Sequence, residues 1–186
     1  PMFGELLYTN PLLGLKTISN NRTKNINTSF YAEIKPAFLK GLKYRINASY
    51  GYVPTLEQTY AGRAANNLTG RAEVDNTESK NWLIENILTY DLDLNKSHID
   101  LTGLYSAQET NYFASGVVSS GFINDVLSFN NLASGATQSG TSSAYKTDLL
   151  SQMIRLNDSY DSRYLLTVTA RRDGDSAVWS NTSKYC

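Results

Sequence analysis

The sequence predicts an all-β chain, specifically an antiparallel transmembrane β-barrel segment of about six strands. Three observations predict this fold. Apolar and polar residues alternate with a period of two in several segments, short and long connections alternate between those segments, and tyrosine is frequent, with 13 copies against 6 phenylalanines. Successive residues of a strand face opposite sides, and a ring with a polar tip suits a boundary between apolar and wet surroundings.

The clearest predicted strand is 42–53, LKYRINASYGYV. Its even-numbered side is apolar and aromatic, whereas its odd-numbered side carries Lys43, Arg45, Asn47 and Ser49. The other predicted strands are 26–35, 81–91, 98–109, 145–157 and 163–172. In 145–157 the two faces are poorly resolved, because Leu149 and Leu150 are adjacent.

The last predicted strand separates its faces well. One side is apolar and is expected to face lipid, and the other is expected to face a largely polar lumen. The first set is Tyr164, Leu166, Val168 and Ala170, and the second is Arg163, Leu165, Thr167, Thr169 and Arg171. An arginine on the lipid face near the bilayer midplane costs about 2–4 kcal/mol, which favours this assignment of Arg171. Arg171 shares a side with Asp173, so the two side chains are expected to pair.

The connections support a barrel. Those at 36–41, 92–97 and 158–162 are short, whereas 54–80 and 110–144 are long, polar and rich in Gly, Ser and Asn. Outer-membrane barrels have short turns on the periplasmic side and long loops outside. With this orientation the strand tyrosines form two girdles, although tyrosine also favours strands in general.

Composition excludes several classes of function. Lysine plus arginine and aspartate plus glutamate both number 17, so net charge gives no case for a nucleic-acid partner. No apolar run has the length of a membrane-spanning helix. The single cysteine, Cys186, allows no internal disulfide, and the start of the chain has no secretion-signal pattern, so we expect either an intracellular protein or a piece of a longer one.

Catalytic and metal sites are not predicted. Residues 91–102 begin like a calcium loop, but Lys96 and Thr102 stand where glycine and glutamate are required. His98 is the only histidine, and no nucleophile elbow or phosphate-binding loop accompanies it. Carboxylates in the long connections are expected to be solvated. We therefore expect no enzyme activity, no metal and no cofactor.

Several motifs together resemble one family. The stretch SRYLLTVTARRDGDSAVWSNTSKY, the upstream NWLIENILTYDLDLNKSHIDLTGLYSAQE, and the earlier NPLLGL and KGLKYRINASYGY are similar to the barrel of SusC/RagA-type TonB-linked outer-membrane transporters. Departures from the family pattern are local and include Asp175, Ala177 and Cys186. The resemblance covers nearly the whole chain.

The resemblance implies an outer-membrane, TonB-dependent active importer of oligosaccharides or peptides, closed by a SusD-like lid lipoprotein. Residues 1–186 would be part of its β-barrel domain, because the plug, the TonB-contacting segment and the remaining strands have no counterpart in the chain. An open sheet leaves two edges that lipid cannot satisfy. We therefore predict that the isolated chain neither transports nor forms a stable pore.

Four residues are candidates for contact with a substrate or the lid. Tyr60, Tyr112 and Phe113 are aromatic residues of the long connections, and Arg171 lies on the predicted lumen side. Each also has a structural interpretation, because loop aromatics pin loops and Arg171 pairs with Asp173. The alternative for the whole chain is a soluble all-β carbohydrate-binding module, which explains the tyrosines equally well but not the alternating connection lengths.

Overall fold

The computed structural model describes residues 17–65 and 69–176, which form one seven-stranded antiparallel sheet. The strands are β1 Thr17–Thr23, β2 Ile26–Ile34, β3 Leu42–Ala61, β4 Arg71–Leu94, β5 Ser97–Phe122, β6 Gly135–Tyr160 and β7 Tyr164–Asp175. Their order is β1-β3-β4-β5-β6-β7, with β2 also paired to β3. Two short 3-10 turns, Ser128–Asn130 and Leu132–Ser134, lie between β5 and β6.

All six predicted strands are present, so the predicted fold class is confirmed. The predicted lengths of the long connections were wrong. Strands β3 to β6 have 20, 24, 26 and 26 residues, and the long connections shrink to 62–70 and 123–134. From β2 onward short and long connections still alternate, because 35–41, 95–96 and 161–163 are short, as is 24–25 between β1 and β2.

Pro54 lies inside β3, although it was expected to end the strand. Its partners change at this point, since Tyr52 pairs with Ile26 of β2 and Thr55 pairs with Thr23 of β1. The carbonyl oxygen of Pro54 accepts a hydrogen bond from the Lys24 amide, at 3.0 Å. Proline has no amide hydrogen to donate, and this break in the ladder accommodates it.

Strand β1 was not predicted, because only one of its seven residues, Ile18, is strongly apolar. Its side chains bond directly across to β3. The Asn20 amide donates to Gln58 Oε1 at 2.9 Å, the Asn21 amide donates to Glu57 Oε1 at 3.0 Å, and the Thr23 and Thr55 hydroxyls lie 3.1 Å apart. Polar cross-strand pairs therefore hold a segment that has no hydrophobic pattern.

Gly41 makes the short connection between β2 and β3 possible. Its φ is +87°, a conformation that favours glycine, and a β-carbon there would overlap the carbonyl oxygen of Asp91. The Gly41 carbonyl accepts a hydrogen bond from the Asp91 amide at 2.9 Å, which ties the connection to β4.

The described residues divide into two compact units. The first unit takes in 17–25, 53–65, 69–78 and 112–144, and the second takes in 26–52, 79–111 and 145–176. The hydrophobic core cluster lies in the first unit and consists of Tyr60, Ala72 and Phe122, with Phe129 and Leu132 packed against it. The Tyr60 and Phe122 rings meet edge to face, with centroids 5.5 Å apart.

Candidate functional site

The polar side of β2, β3 and β4 in the second unit forms a hydrogen-bonded pocket. The Arg45 guanidinium donates to Asn47 Oδ1 at 2.8 Å, and the Asn47 amide donates to Glu85 Oε2 at 3.0 Å. Arg45 also lies over the Tyr31 ring, 4.6 Å from its centroid. The pocket has a volume of about 270 Å³, and its other lining residues are Ser29, Phe30, Ala48, Ser49 and Leu83. We call this group the polar-face pocket.

The same kind of surface continues on β5, β6 and β7. Asp100 Oδ1 accepts from the Asn157 amide at 3.2 Å and from the Thr102 hydroxyl at 3.3 Å, and the Thr167 hydroxyl donates to Asn157 Oδ1 at 3.0 Å. Opposite residues of an antiparallel pair share a face, and Asn157 pairs with Thr167. One side of these strands is thus occupied by mutually bonded polar groups.

Arg171 belongs to this polar side. Its Nε donates to both Asp173 carboxylate oxygens, at 2.9 and 3.0 Å, and its guanidinium donates to the Ser151 hydroxyl at 3.4 Å. The predicted pairing of Arg171 with Asp173 is therefore confirmed. Both side chains are about half exposed, so the pair contributes little to stability while holding a cation at a fixed place.

The opposite side of the second unit is apolar and has no protein packed over much of it. Tyr164, Ile154, Leu166 and Val168 are 71%, 62%, 56% and 53% exposed. Ile154 pairs with Ala170 and Leu156 pairs with Val168, which resolves the faces of β6 that sequence left unclear. An apolar face this exposed calls for an apolar environment or a partner.

The apolar side also carries charged groups, at strand positions that lie closer along the chain to the connections 62–70 and 123–134. Lys146 Nζ lies 2.9 Å from Glu109 Oε2 and 3.5 Å from Asp148 Oδ1. Lys80 Nζ lies over the Tyr52 ring, 5.4 Å from its centroid. The apolar side therefore gives way to charged and aromatic residues, as it does at the edge of a lipid-facing band.

In the first unit, Asp125 joins the two long connections. The Tyr60 hydroxyl donates to Asp125 Oδ1 at 2.7 Å, the Arg63 amide donates to the same oxygen at 3.0 Å, and the Arg63 guanidinium donates to the Ile123 carbonyl at 2.8 Å. Burial, then the hydrogen bond to Asp125, raises the pKa of Tyr60 to about 12. We call Tyr60, Arg63 and Asp125 the clasp.

Asp75 lies in a smaller cavity of the first unit, of about 220 Å³, between residues 114–116 and 141–143. Burial, and then the neighbouring Glu73 and Glu57 carboxylates, raise the pKa of Asp75 above its usual value. The Asp75 carboxyl therefore holds a proton more readily than an ordinary aspartate, and the other lining residues of the cavity are uncharged. Within 17–65 and 69–176 there is no group of three or more metal-ligating side chains, and no helix long and apolar enough to cross a membrane.

The four predicted contact residues occupy three separate places. Tyr60 is only 1% exposed and supports the clasp, so its ring pins a connection in this structure. Tyr112 and Phe113 are adjacent on β5 rather than in a loop, and Phe113 is 47% exposed. Arg171 lies on β7. Contact of these residues with a substrate or lid stays a prediction.

Sequence reasoning missed Tyr31 and Glu85 as members of a site. The alternation along 42–53 had marked Arg45 and Asn47 as polar-side residues. Strand pairing brings Tyr31 into the pocket, because Tyr31 lies opposite Asn47 in the β2–β3 register. A polar strand side next to a predicted strand with an aromatic residue is the signal that would have found the pocket.

A single antiparallel meander with one exposed apolar side and one hydrogen-bonded polar side defines a class, the wall of a membrane β-barrel. No protein-family model matches the chain. It is 29% identical over 181 residues to TonB-dependent receptor P3 of Formosa agariphila and 28% identical over 189 residues to TonB-dependent receptor P26 of the same organism. These matches cover 93% and 96% of the chain, but only 17% and 19% of the relatives.

Solved structures agree on the fold. The RagAB peptide transporter matches with a TM-score of 0.82 and 18% identity, over 89% of this chain and 19% of that one. The RagAB peptide importer in its closed-closed state matches with a TM-score of 0.75 and 19% identity over the same shares. The predicted resemblance to TonB-linked outer-membrane transporters and the predicted outer-membrane location are therefore confirmed.

Proposed function

We propose that this chain forms part of the barrel wall of an outer-membrane, TonB-dependent active importer. The observation that carries this proposal is the two-sided sheet of the second unit. Its polar side carries side-chain hydrogen bonds between β3 and β4, between β5 and β6, and between β6 and β7, whereas Ile154, Leu166 and Val168 stand exposed on the other side. A barrel wall needs this arrangement, since one side meets lipid and the other a wet lumen.

The edges of the sheet support a larger barrel. Within the described residues, the pairing path begins at β1 and β2 and ends at β7, so each end strand has one edge without a strand beside it. A bilayer cannot satisfy such backbone groups. Residues 1–186 are accordingly proposed as part of a barrel domain whose plug and remaining strands lie elsewhere in the receptor.

The proposed cargo is an oligosaccharide or a peptide. The polar-face pocket offers an aromatic ring, a guanidinium, an amide and a carboxylate within one surface of β2, β3 and β4. Such a set binds the hydroxyls of sugars and the amides of peptides alike, and RagAB, which has a similar fold, is a peptide transporter. A SusD-like lid lipoprotein and the TonB complex are the proposed partners, with Tyr112, Phe113 and Arg171 as contact candidates for cargo or lid.

The first experiment is an immunoblot of outer-membrane and soluble fractions of the source cells, with an antibody against residues 110–144. A heat-modifiable outer-membrane band several times larger than 20.7 kDa is expected. A soluble band at 20.7 kDa would refute the proposal. The second experiment measures uptake by the full receptor with and without a functional TonB complex, and uptake that is independent of TonB would remove the active-transport part.

The soluble sandwich alternative has little support. A sandwich buries apolar residues between two sheets, whereas the described residues form one sheet with three buried hydrophobic residues, Tyr60, Ala72 and Phe122, all in the first unit. No observation on the described residues favours it over the barrel wall.

A further inference from the structure

A cavity of the second unit lies on its apolar side, which the lumen function does not use. It is a groove of about 580 Å³ lined by residues of β3, β4, β5, β6 and β7. Gly103 forms its floor because it has no side chain, and Leu88, Tyr105, Ile154 and Ala170 stand around it. The groove is therefore a mostly apolar depression in the surface proposed to meet lipid.

Two arginines of β7, Arg171 and Arg172, line this groove, but only one guanidinium is available to it. Arg172 pairs across the strands with Gln152, another lining residue, whereas the Arg171 guanidinium bonds Asp173 and Ser151 on the polar side. Within residues 17–65 and 69–176, Arg171 is bonded to Asp173 and Ser151, whereas Arg172 has no ion-pair or hydrogen-bond partner. Near the edge of a lipid-facing side an arginine costs little, and a guanidinium without a protein partner there is available to bind an anion.

We propose that this groove binds one phosphorylated lipid of the surrounding membrane, with an acyl chain along Gly103 and the lipid phosphate at Arg172. Two observations identify the occupant. The groove opens onto the lipid-facing side, and the one charged group without a protein partner in its lining, the Arg172 guanidinium, is positive. A guanidinium binds phosphate with two parallel hydrogen bonds. The inference rests on the proposed barrel function.

The position of Arg172 along its strand fits a headgroup. It stands eight residues beyond Tyr164, the first residue of β7, which is about 26 Å along a strand. Barrel strands tilt by about 35–45°, so this path rises about 20 Å across the membrane, and the long Arg172 side chain covers the remainder of an apolar band about 25 Å tall. Arg172 therefore reaches the level where a phosphate lies, while Gly103, Ile154 and Ala170 remain beside the chains.

The test uses the full receptor, purified in detergent and titrated with diphosphoryl lipid A and with its dephosphorylated form, read by native mass spectrometry. Wild type is expected to bind the phosphorylated lipid more tightly. Arg172→Gln should weaken that binding about tenfold or more, since it removes a charge-assisted hydrogen bond. Arg171→Gln, one residue away on the other side, is the matched control and should bind as wild type.

Gly103→Leu tests the groove itself. A β-carbon at Gly103 would contact only the Leu88 carbonyl oxygen, at 4.0 Å, so the backbone accommodates the change while the side chain fills the groove. This variant should weaken binding of the phosphorylated lipid without losing heat-modifiable migration.

Three results would overturn the proposal: wild-type binding in Arg172→Gln, equal loss in Arg171→Gln, or equal binding of the dephosphorylated lipid. Failure of the barrel function has a different signature, because the wild-type receptor would then not show heat-modifiable migration in the outer membrane. Binding of a second receptor copy in place of lipid, seen as a dimer that Gly103→Leu abolishes, would also overturn it.

Discussion

The two units of this chain are stabilised in different ways. The first unit contains the buried Tyr60, Ala72 and Phe122 cluster, and the clasp closes over it with Asp125. The second unit has no comparable buried cluster among its described residues, and it exposes Ile154, Leu166 and Val168 on one side. The first unit therefore depends on contacts within the chain, whereas the second depends on the solvent that its apolar side meets.

This difference decides which substitutions are harmful. In the first unit, loss of a buried ring leaves a cavity, as in any water-soluble core. In the second unit, trimming an exposed apolar residue removes little internal packing, but adding a charge places that charge in lipid. The predictions below test this contrast in the full receptor, from the largest expected effect to the smallest.

Tyr60→Ala should have the largest effect. It removes a ring that is 1% exposed and also the hydroxyl bonded to Asp125, so the first unit should lose about 3–5 kcal/mol of local stability. Hydrogen exchange of amides in β3 and β4 of that unit measures the loss. Tyr50→Ala, on the same strand but 46% exposed, is the control and should change much less. Equal protection in wild type and Tyr60→Ala would contradict the core assignment.

Val168→Arg should cost about 2–4 kcal/mol in lipid, because it puts a guanidinium on the apolar side of β7. Leu165→Arg, on the same strand but on the polar side opposite Ser159, should cost less than about 1 kcal/mol. Urea unfolding of the receptor in phospholipid vesicles gives both values. Equal costs for the two variants would mean that the sides are assigned wrongly.

Tyr60→Phe should cost about 1.5–3 kcal/mol in the first unit, since it removes a hydrogen bond to a carboxylate but keeps the ring. The raised pKa of Tyr60 adds a pH dependence. The pKa of Tyr60 is about 12 in the folded protein and 10.0 for an ordinary tyrosine, so folding favours the protonated phenol. The stability that this contributes is fully present below pH 10 and is lost as the pH rises from 10 towards 12. An NMR titration of isotope-labelled tyrosine, assigned with Tyr60→Phe, checks this, and a pKa near 10 would refute it.

Lys146→Gln should have the smallest effect, below about 1 kcal/mol, because Lys146 is half exposed and its pairs with Glu109 and Asp148 are surface pairs. The loss of stability caused by Lys146→Gln should be smaller still at high salt, because salt screens surface ion pairs. Urea unfolding at low and high ionic strength measures it. A loss as large as that of Val168→Arg would show that these charges lie deeper in lipid than the band's edge.

Much of the fold was predictable because local alternation carries it. The strands starting at Leu42 and Ile26 begin where the sequence predicted them, since each needs only its own pattern of apolar and polar residues. The partnership of Arg171 with Asp173 was predictable for the same reason, because residues two apart on a strand share a side. The family resemblance rested on motifs of consecutive residues at several places along the chain.

The candidate sites were less predictable. Tyr60 was expected in an exposed loop, but it is buried because Phe122 and Asp125, over sixty residues away in sequence, pack against and bond to it. Tyr31 entered the polar-face pocket only through its register with Asn47. Contacts of this kind depend on which strands lie side by side, and no local pattern records that.

By itself, the sequence determined the alternating strands, their two unlike sides and the family resemblance, because these depend on residues close together along the chain. Only the tertiary structure decided that polar β1 is a strand, that β3 continues through Pro54, and that the long connections are held by the clasp. Each of these depends on a hydrogen-bond partner supplied by a distant segment, namely β3 for β1, Lys24 for Pro54, and Asp125 for Tyr60.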